Sequence, residues 1–99
     1  ITAMGSDTHE KCELSVDILE VADIVSTDSI DQAISRGEIS HALRSRKIKK
    51  ENIVELGQII LDPKTGRKSD SEITVSDLSG VAIQDIMIAK AITKILEPK

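Results

Sequence analysis

Ile1-Thr2-Ala3-Met4-Gly5-Ser6-Asp7-Thr8-His9-Glu10-Lys11 joins a short apolar run to a Gly-Ser-Asp break. A run that halts this way reads as a strand delivering a carboxylate to the carboxyl edge of its sheet, where open α/β folds bind ligands. Asp7 is therefore the first candidate functional residue. A natural start would bring a methionine and a polar lead-in. This one brings neither, so the chain reads as a piece of a larger protein.

Further along, Ser15 is placed to cap a helix over 16–22, with Asp17 in its first turn. Asp23-Ile24-Val25-Ser26 reads as a strand ended by the turn-forming Thr27-Asp28-Ser29. Ser29 or Asp28 opens a second helix in which Ile30, Ala33 and Ile34 share a face, and Gly37 stands where a left-handed cap is wanted. Residues 38–46 form a short helix with Ile39, Ala42 and Leu43 inward, followed by Asn52-Ile53-Val54-Glu55-Leu56-Gly57 and a helical or extended 58–61. Asp62-Pro63-Lys64-Thr65-Gly66-Arg67 is a turn by its Pro and Gly placement. Ile73-Thr74-Val75 is strand-like, Asp77-Leu78-Ser79-Gly80 turns from strand to helix, and 81–96 is a long helix ended by Pro98. Its Ile83, Ile86, Met87, Ala91, Ile92 and Ile95 recur at spacings of three and four and read as a core-facing stripe. Three strand–turn–helix passes imply right-handed crossovers and a parallel sheet, an α/β fold.

The 99 residues allow one small domain and contain no Phe, Trp or Tyr, so any core is aliphatic and thin. A net charge of −4 argues against a generic nucleic-acid or anionic-membrane surface. No apolar run reaches transmembrane length and no signal peptide opens the chain, so cytoplasmic residence is the default reading. Arg44, Arg46, Lys47, Lys49 and Lys50 read as a solvated basic surface. The single cysteine, Cys12, rules out an internal disulfide framework and reads as a small buried or half-buried side chain. His41 has no partner at metal-ligand spacing.

Two segments resemble the ornithine cyclodeaminase/mu-crystallin family, which includes the archaeal type of alanine dehydrogenase. Ala3-Met4-Gly5-Ser6-Asp7-Thr8-His9-Glu10-Lys11-Cys12-Glu13-Leu14 resembles its Gly-Ala-Asp-x-Pro-Gly-Lys-x-Glu-Leu loop. Gly66-Arg67 and then Ser71-Glu72-Ile73-Thr74-Val75-Ser76-Asp77-Leu78-Ser79-Gly80-Val81-Ala82-Ile83-Gln84-Asp85 resemble its closing signature, Gly-Arg…Asp-Glu-Ile-Thr-x-Phe-Asp-Ser-x-Gly-x-Ala-x-Gln-Asp. Gly37-Glu38 and Glu55-Leu56-Gly57 fall between them in matching order.

The resemblance implies the carboxyl-terminal part of a NAD(P)-binding Rossmann domain, with parallel strands, covering helices and a long last helix. Residues 1–80 would be the last strands and helices of that domain. Residues 81–99 would return toward a catalytic and dimerisation domain. The reaction implied moves a hydride between the α-carbon of an amino acid and NAD or NADP, through an imine that is hydrolysed, cyclised or reduced. The implied partners are an amino or imino acid, the remaining amino-terminal part of the protein and a second copy in a homodimer. No G-x-G-x-x-G occurs here; the phosphate turn and the Lys and Arg anchors of the substrate carboxylate would lie upstream, so this chain alone should not turn over.

By the same resemblance Asp7 is the proton-transfer acid, Met4, Gly5, Ser6, Lys11 and Leu78 border the cofactor, and Ser79 meets substrate through its backbone. Read from spacing alone, Asp7 is a loop cap accepting backbone N–H bonds and Lys11 a solvated lysine. Two departures stand out. His9-Glu10 replaces the family's Pro-Gly, and Leu78 replaces a serine that contacts the cofactor, with Ser79 beside it. They leave open a second reading, a non-catalytic mu-crystallin-like binding protein or a ketimine reductase on the same scaffold.

Overall fold

A computed structural model describes residues 1–6 and 8–98; Asp7 and Lys99 lie outside the described residues. Four strands, β1 (Thr2–Met4), β2 (Ile24–Thr27), β3 (Ile53–Glu55) and β4 (Thr74–Leu78), form one sheet in the order β1-β4-β2-β3. Every pairing is parallel. The last strand therefore lies inside the sheet, with Ala3 opposite Asp77 and Val25 opposite Val75. Because β1 and β4 are neighbours, the loops that leave their carboxyl ends emerge side by side.

The strands follow from their residues. Ile24-Val25-Ser26-Thr27 and Thr74-Val75-Ser76 are mostly β-branched or small, as a covered parallel strand requires. Ser26 and Ser76 face each other across the register and share a hydrogen bond of 2.7 Å between their hydroxyls. Helices α1 (Val16–Val21), α2 (Ile30–Ala33), α3 (Gly37–Arg44), α4 (Leu56–Leu61) and α5 (Ala82–Leu96) alternate with the strands. Ser15 caps α1 by accepting from the Asp17 N–H at 3.4 Å. Gly37 has a φ of +85°, the left-handed geometry expected there, and starts α3 directly.

The core consists of Leu19, Val25, Ala33, Ile39, Ala42, Ile53 and Val75. It joins α1 and α3 to β2, β3 and β4 and is aliphatic throughout. Ile39 and Ala42 face inward as the helical spacing predicts, with Leu43 packed at the margin. Ile34 was expected on the same face as Ala33 but is exposed, although its backbone stays helical. Among the described residues no helix is long and apolar enough to cross a membrane.

Three expectations are corrected. Ile53-Val54-Glu55, read only as a lead-in, is a strand, held by pairing with β2 from Val25–Ile53 to Thr27–Glu55. Asp77 and Leu78 belong to β4 and not to the turn, because β1 extends that strand's pairing to Met4 opposite Leu78. The stripe on the last helix is not part of this core: no residue of α5 is buried, and its large apolar side chains from Ile83 to Ile95 are 50% to 80% exposed. Helical periodicity shows that a face is apolar but not what covers it.

The helix contributes no buried side chain here, so ending the chain at Gly80 should leave the thermal midpoint of the 1–99 chain nearly unchanged. Calorimetry or circular dichroism would check this. A drop beyond about 8 °C, the upper end of what roughly 1 kcal/mol produces in a domain of this size, would show that α5 supports the sheet.

Candidate functional site

The carboxyl edge of the sheet is cross-tied at each strand end. Met4 stands opposite Leu78, and the Gly5 N–H donates to the Leu78 carbonyl at 3.1 Å, extending the β1–β4 ladder by one residue. Gly5 then turns away with a φ of +84°, a conformation that a residue with a Cβ adopts only under strain. Beyond β4, the Ser79 hydroxyl donates to Gln32 Oε1 at 3.2 Å and the Gly80 N–H to Asp28 Oδ2 at 2.8 Å. The Ile30 N–H donates to Glu55 Oε1 at 2.9 Å, joining the start of α2 to the end of β3. The result is a fixed platform. Met4 is 71% exposed on it, and a Cβ added at Gly5 or Gly80 would meet nothing within 4 Å.

The loop after β1 is held from beneath by Glu38, the second residue of α3. This carboxylate is buried. Its Oε1 accepts from the Glu13 N–H at 3.0 Å and the Ser6 hydroxyl at 3.4 Å. Its Oε2 accepts from the Leu14 N–H at 2.9 Å, the Glu13 N–H at 3.1 Å and the Cys12 thiol at 3.2 Å. Burial pushes the Glu38 pKa up, but the Glu13 and Leu14 N–H groups, with Cys12 and Ser6, outweigh it and hold the group below the ordinary carboxylate range. Glu38 is thus an ionised, multiply bonded anchor. Burial of the sulfur and the Glu38 carboxylate push the Cys12 thiol up to about 11, so it is protonated and not nucleophilic at neutral pH. Cys12 as a residue is exposed rather than buried or half-buried, since only its sulfur turns toward Glu38.

Asp77 is a second buried carboxylate against the same helix end. Its Oδ2 accepts from the Ile39 N–H at 2.9 Å, while its Oδ1 has no hydrogen-bond partner among the described residues. Burial raises its pKa, the Ile39 N–H opposes that, and the charges of Glu38 and Asp28 raise it further. A Cβ on Gly37 would lie 2.6 Å from Asp77 Oδ2. The closeness of strand and helix here depends on the glycine.

Of the residues singled out from the sequence, Met4, Gly5 and Leu78 come together at one strand edge, and Ser79 follows directly. Lys11 reaches the same place, its Nζ donating to the Gly5 carbonyl at 3.1 Å. Ser6 is buried with its hydroxyl turned to Glu38, leaving its backbone for the edge. His9, which replaces a proline of the family pattern, bonds through Nδ1 to the Ser35 carbonyl, so that nitrogen carries the proton. Asp7 lies outside the described residues. Sequence reasoning missed the anchoring role of Glu38 and the Gly37–Asp77 contact; the Gly37-Glu38 dipeptide was the only trace. The described residues contain no group of three or more His, Cys, Asp and Glu side chains that could hold a metal ion.

A four-stranded parallel sheet with helices in its connections, whose carboxyl edge carries a glycine turn and a polar loop, is an α/β module of the Rossmann class. The profile of the ornithine cyclodeaminase/mu-crystallin family matches residues 1–99, and the chain belongs to that family. The structure of the iminosuccinate reductase of Paracoccus denitrificans in complex with NAD+ superposes with a TM-score of 0.85 at 37% identity, covering 95% of this chain and 29% of that one. An archaeal alanine dehydrogenase dimer with bound NAD gives 0.82 at 38% identity, over 99% of this chain and 32% of that one. A lysine cyclodeaminase, solved to explain recognition of L-lysine, L-ornithine and L-2,4-diaminobutyric acid, gives 0.75 at 27% identity, over 95% and 26%. The chain spans 27% to 30% of the length of the curated relatives it matches.

Proposed function

We propose that this chain is the carboxyl-terminal part of a NAD(P)-dependent enzyme acting at the α-carbon of an amino or imino acid, of the alanine dehydrogenase or cyclodeaminase type. The observation that carries the reading is the platform of Met4, Gly5 and Leu78, set beside the loop that contains Asp7 and Lys11. Its open glycine suits a flat ring laid across strand ends, since no Cβ holds the ring away from the backbone.

Met4, Gly5, Leu78, the Ser6 backbone and Lys11 would border the nicotinamide end of the cofactor, with the Ser79 backbone facing substrate. When bound, the nicotinamide supplies hydride exchange with the substrate carbon. The chain's own residues do the rest. The platform orients, Lys11 closes the loop onto Gly5, and Asp7 takes and returns the proton of the amine nitrogen or of an attacking water. Residues 1–80 form the Rossmann portion, and 81–99 carry the apolar face of α5 to the remainder of the polypeptide or to a second copy in a homodimer. The substitution of Pro-Gly by His9-Glu10 does not leave the loop unsupported, because His9 is tied to Ser35.

The test uses the full-length protein. Fluorescence titration with NADH and NADPH should show saturable binding of at least one. Oxidation of that nucleotide should then follow addition of a 2-oxo acid with ammonia, or of a cyclic imine; ammonia release should follow addition of alanine with the oxidised nucleotide, or of ornithine or lysine, whose cyclodeamination returns the hydride and leaves no net change in the nucleotide. Absence of nucleotide binding overturns the reading; binding without turnover across the panel indicates the non-catalytic protein.

A further inference from the structure

Between β1 and the start of α1, residues 8–14 carry no helix or strand. One side chain touches both ends of this connection. Glu38 accepts from Ser6, the residue before Asp7, and from Cys12, Glu13 and Leu14, the residues after Lys11. Within that bracket His9 is bonded to Ser35 and Lys11 to Gly5. Glu38 is itself located by the next residue, Ile39, whose N–H is bonded to Asp77 of β4. Sheet, helix α3 and loop therefore form one continuous set of contacts running from β4 to Ser6 and to residues 12–14.

From this geometry we propose that Glu38 is a positioning residue for catalysis: it fixes Ser6 on one side of the acid and residues 12–14 on the other, without touching substrate or cofactor. The inference rests on the proposed enzymatic reading. Bracketing both ends with one fixed charge shortens the span of chain between held points, which narrows the positions open to the acid. A misplacement of about 1 Å at a reacting group can cost roughly 100-fold in rate.

The experiment compares Glu38→Ala and Glu38→Gln in the full-length protein. The amide oxygen of glutamine can take the Leu14 and Glu13 N–H bonds while its nitrogen donates to the Ser6 hydroxyl, so Gln preserves most of the bracket and Ala none of it. Alanine should lower kcat about 100-fold with KM for the amino acid within about threefold, because uniform binding is not what is lost. Glutamine should restore most of the rate. Unchanged kcat in Glu38→Ala overturns the proposal, as does equal loss in both variants. Should Glu38→Ala not fold, Glu38→Asp, whose carboxylate is one methylene short of the Glu13 and Leu14 N–H groups, replaces it; a fall in kcat at constant KM supports the proposal and an unaltered kcat overturns it.

Nucleotide binding by the unsubstituted protein is measured first, so that failure of the enzymatic reading is seen separately. In that event amide exchange decides the bracket. Faster exchange at residues 12–14 in Glu38→Ala but not in Glu38→Gln, with β4 unchanged in both, supports an ordering role, and unchanged exchange in Glu38→Ala overturns it.

Discussion

Gly37→Ala is expected to destabilise the protein by about 3–5 kcal/mol, near the top of the range for a single methyl group. The cost has two sources. Gly37 sits at a φ of +85°, and a left-handed backbone costs a residue with a Cβ about 1–2 kcal/mol. The new methyl would also lie 2.6 Å and 2.9 Å from the two Asp77 carboxylate oxygens, a separation that cannot persist. Asp77 is buried and cannot swing into solvent, so relief requires moving its Oδ2 away from the Ile39 N–H. A hydrogen bond to a charged group contributes about 1.5–3 kcal/mol, and the freed N–H would remain buried. Thermal unfolding of Gly37→Ala, Asp77→Ala and the double variant separates the sources. The double variant should be less destabilised than the sum of the singles by about 1–3 kcal/mol, because the clash disappears with the carboxylate while the backbone strain stays. Strict additivity would show that the two residues do not compete for the same space.

The contrast between what could be read in advance and what could not follows the reach of each interaction. Ser15 as a cap, Gly37 as a left-handed residue and Ile39 with Ala42 as an inward pair all depend on neighbours within four positions, and spacing reveals them. The strand Ile53–Glu55 was hidden because three residues show no period, and it exists by pairing with Ile24–Thr27 nearly thirty residues earlier. Asp77 and Leu78 looked like a turn because their residue types favour one; β1, from the other end of the chain, holds them in the sheet. The role of Glu38 is less legible still, since its partners lie 24 and 25 residues away and a glutamate early in a helix ordinarily reads as a favourable first-turn charge. The face of α5 is the opposite case. Its pattern was plain, but a pattern of burial names no partner, and the shared length of 27% to 30% with the relatives shows how much chain they have beyond this part.

Asp7→Asn in the full-length protein is expected to lower kcat by about 100- to 10,000-fold, the contribution typical of a positioned proton-transfer group. Asparagine keeps the size and the hydrogen-bonding oxygen of the aspartate but can neither accept nor return a proton at neutral pH. Nucleotide affinity should stay within about threefold, because on this reading the platform residues Met4, Gly5 and Leu78 hold the cofactor independently of the acid. The limb of the rate–pH profile that reports this carboxylate should vanish with it. Turnover within tenfold of the unsubstituted protein would remove Asp7 from the mechanism. Combination with Glu38→Ala tests whether the two residues act through one another. If Glu38 serves to place Asp7, its removal has little left to damage once the acid is gone, and the double variant should be hardly slower than Asp7→Asn alone. Multiplying losses would mean that the carboxylate beneath the loop acts on the reaction by a route that does not pass through Asp7.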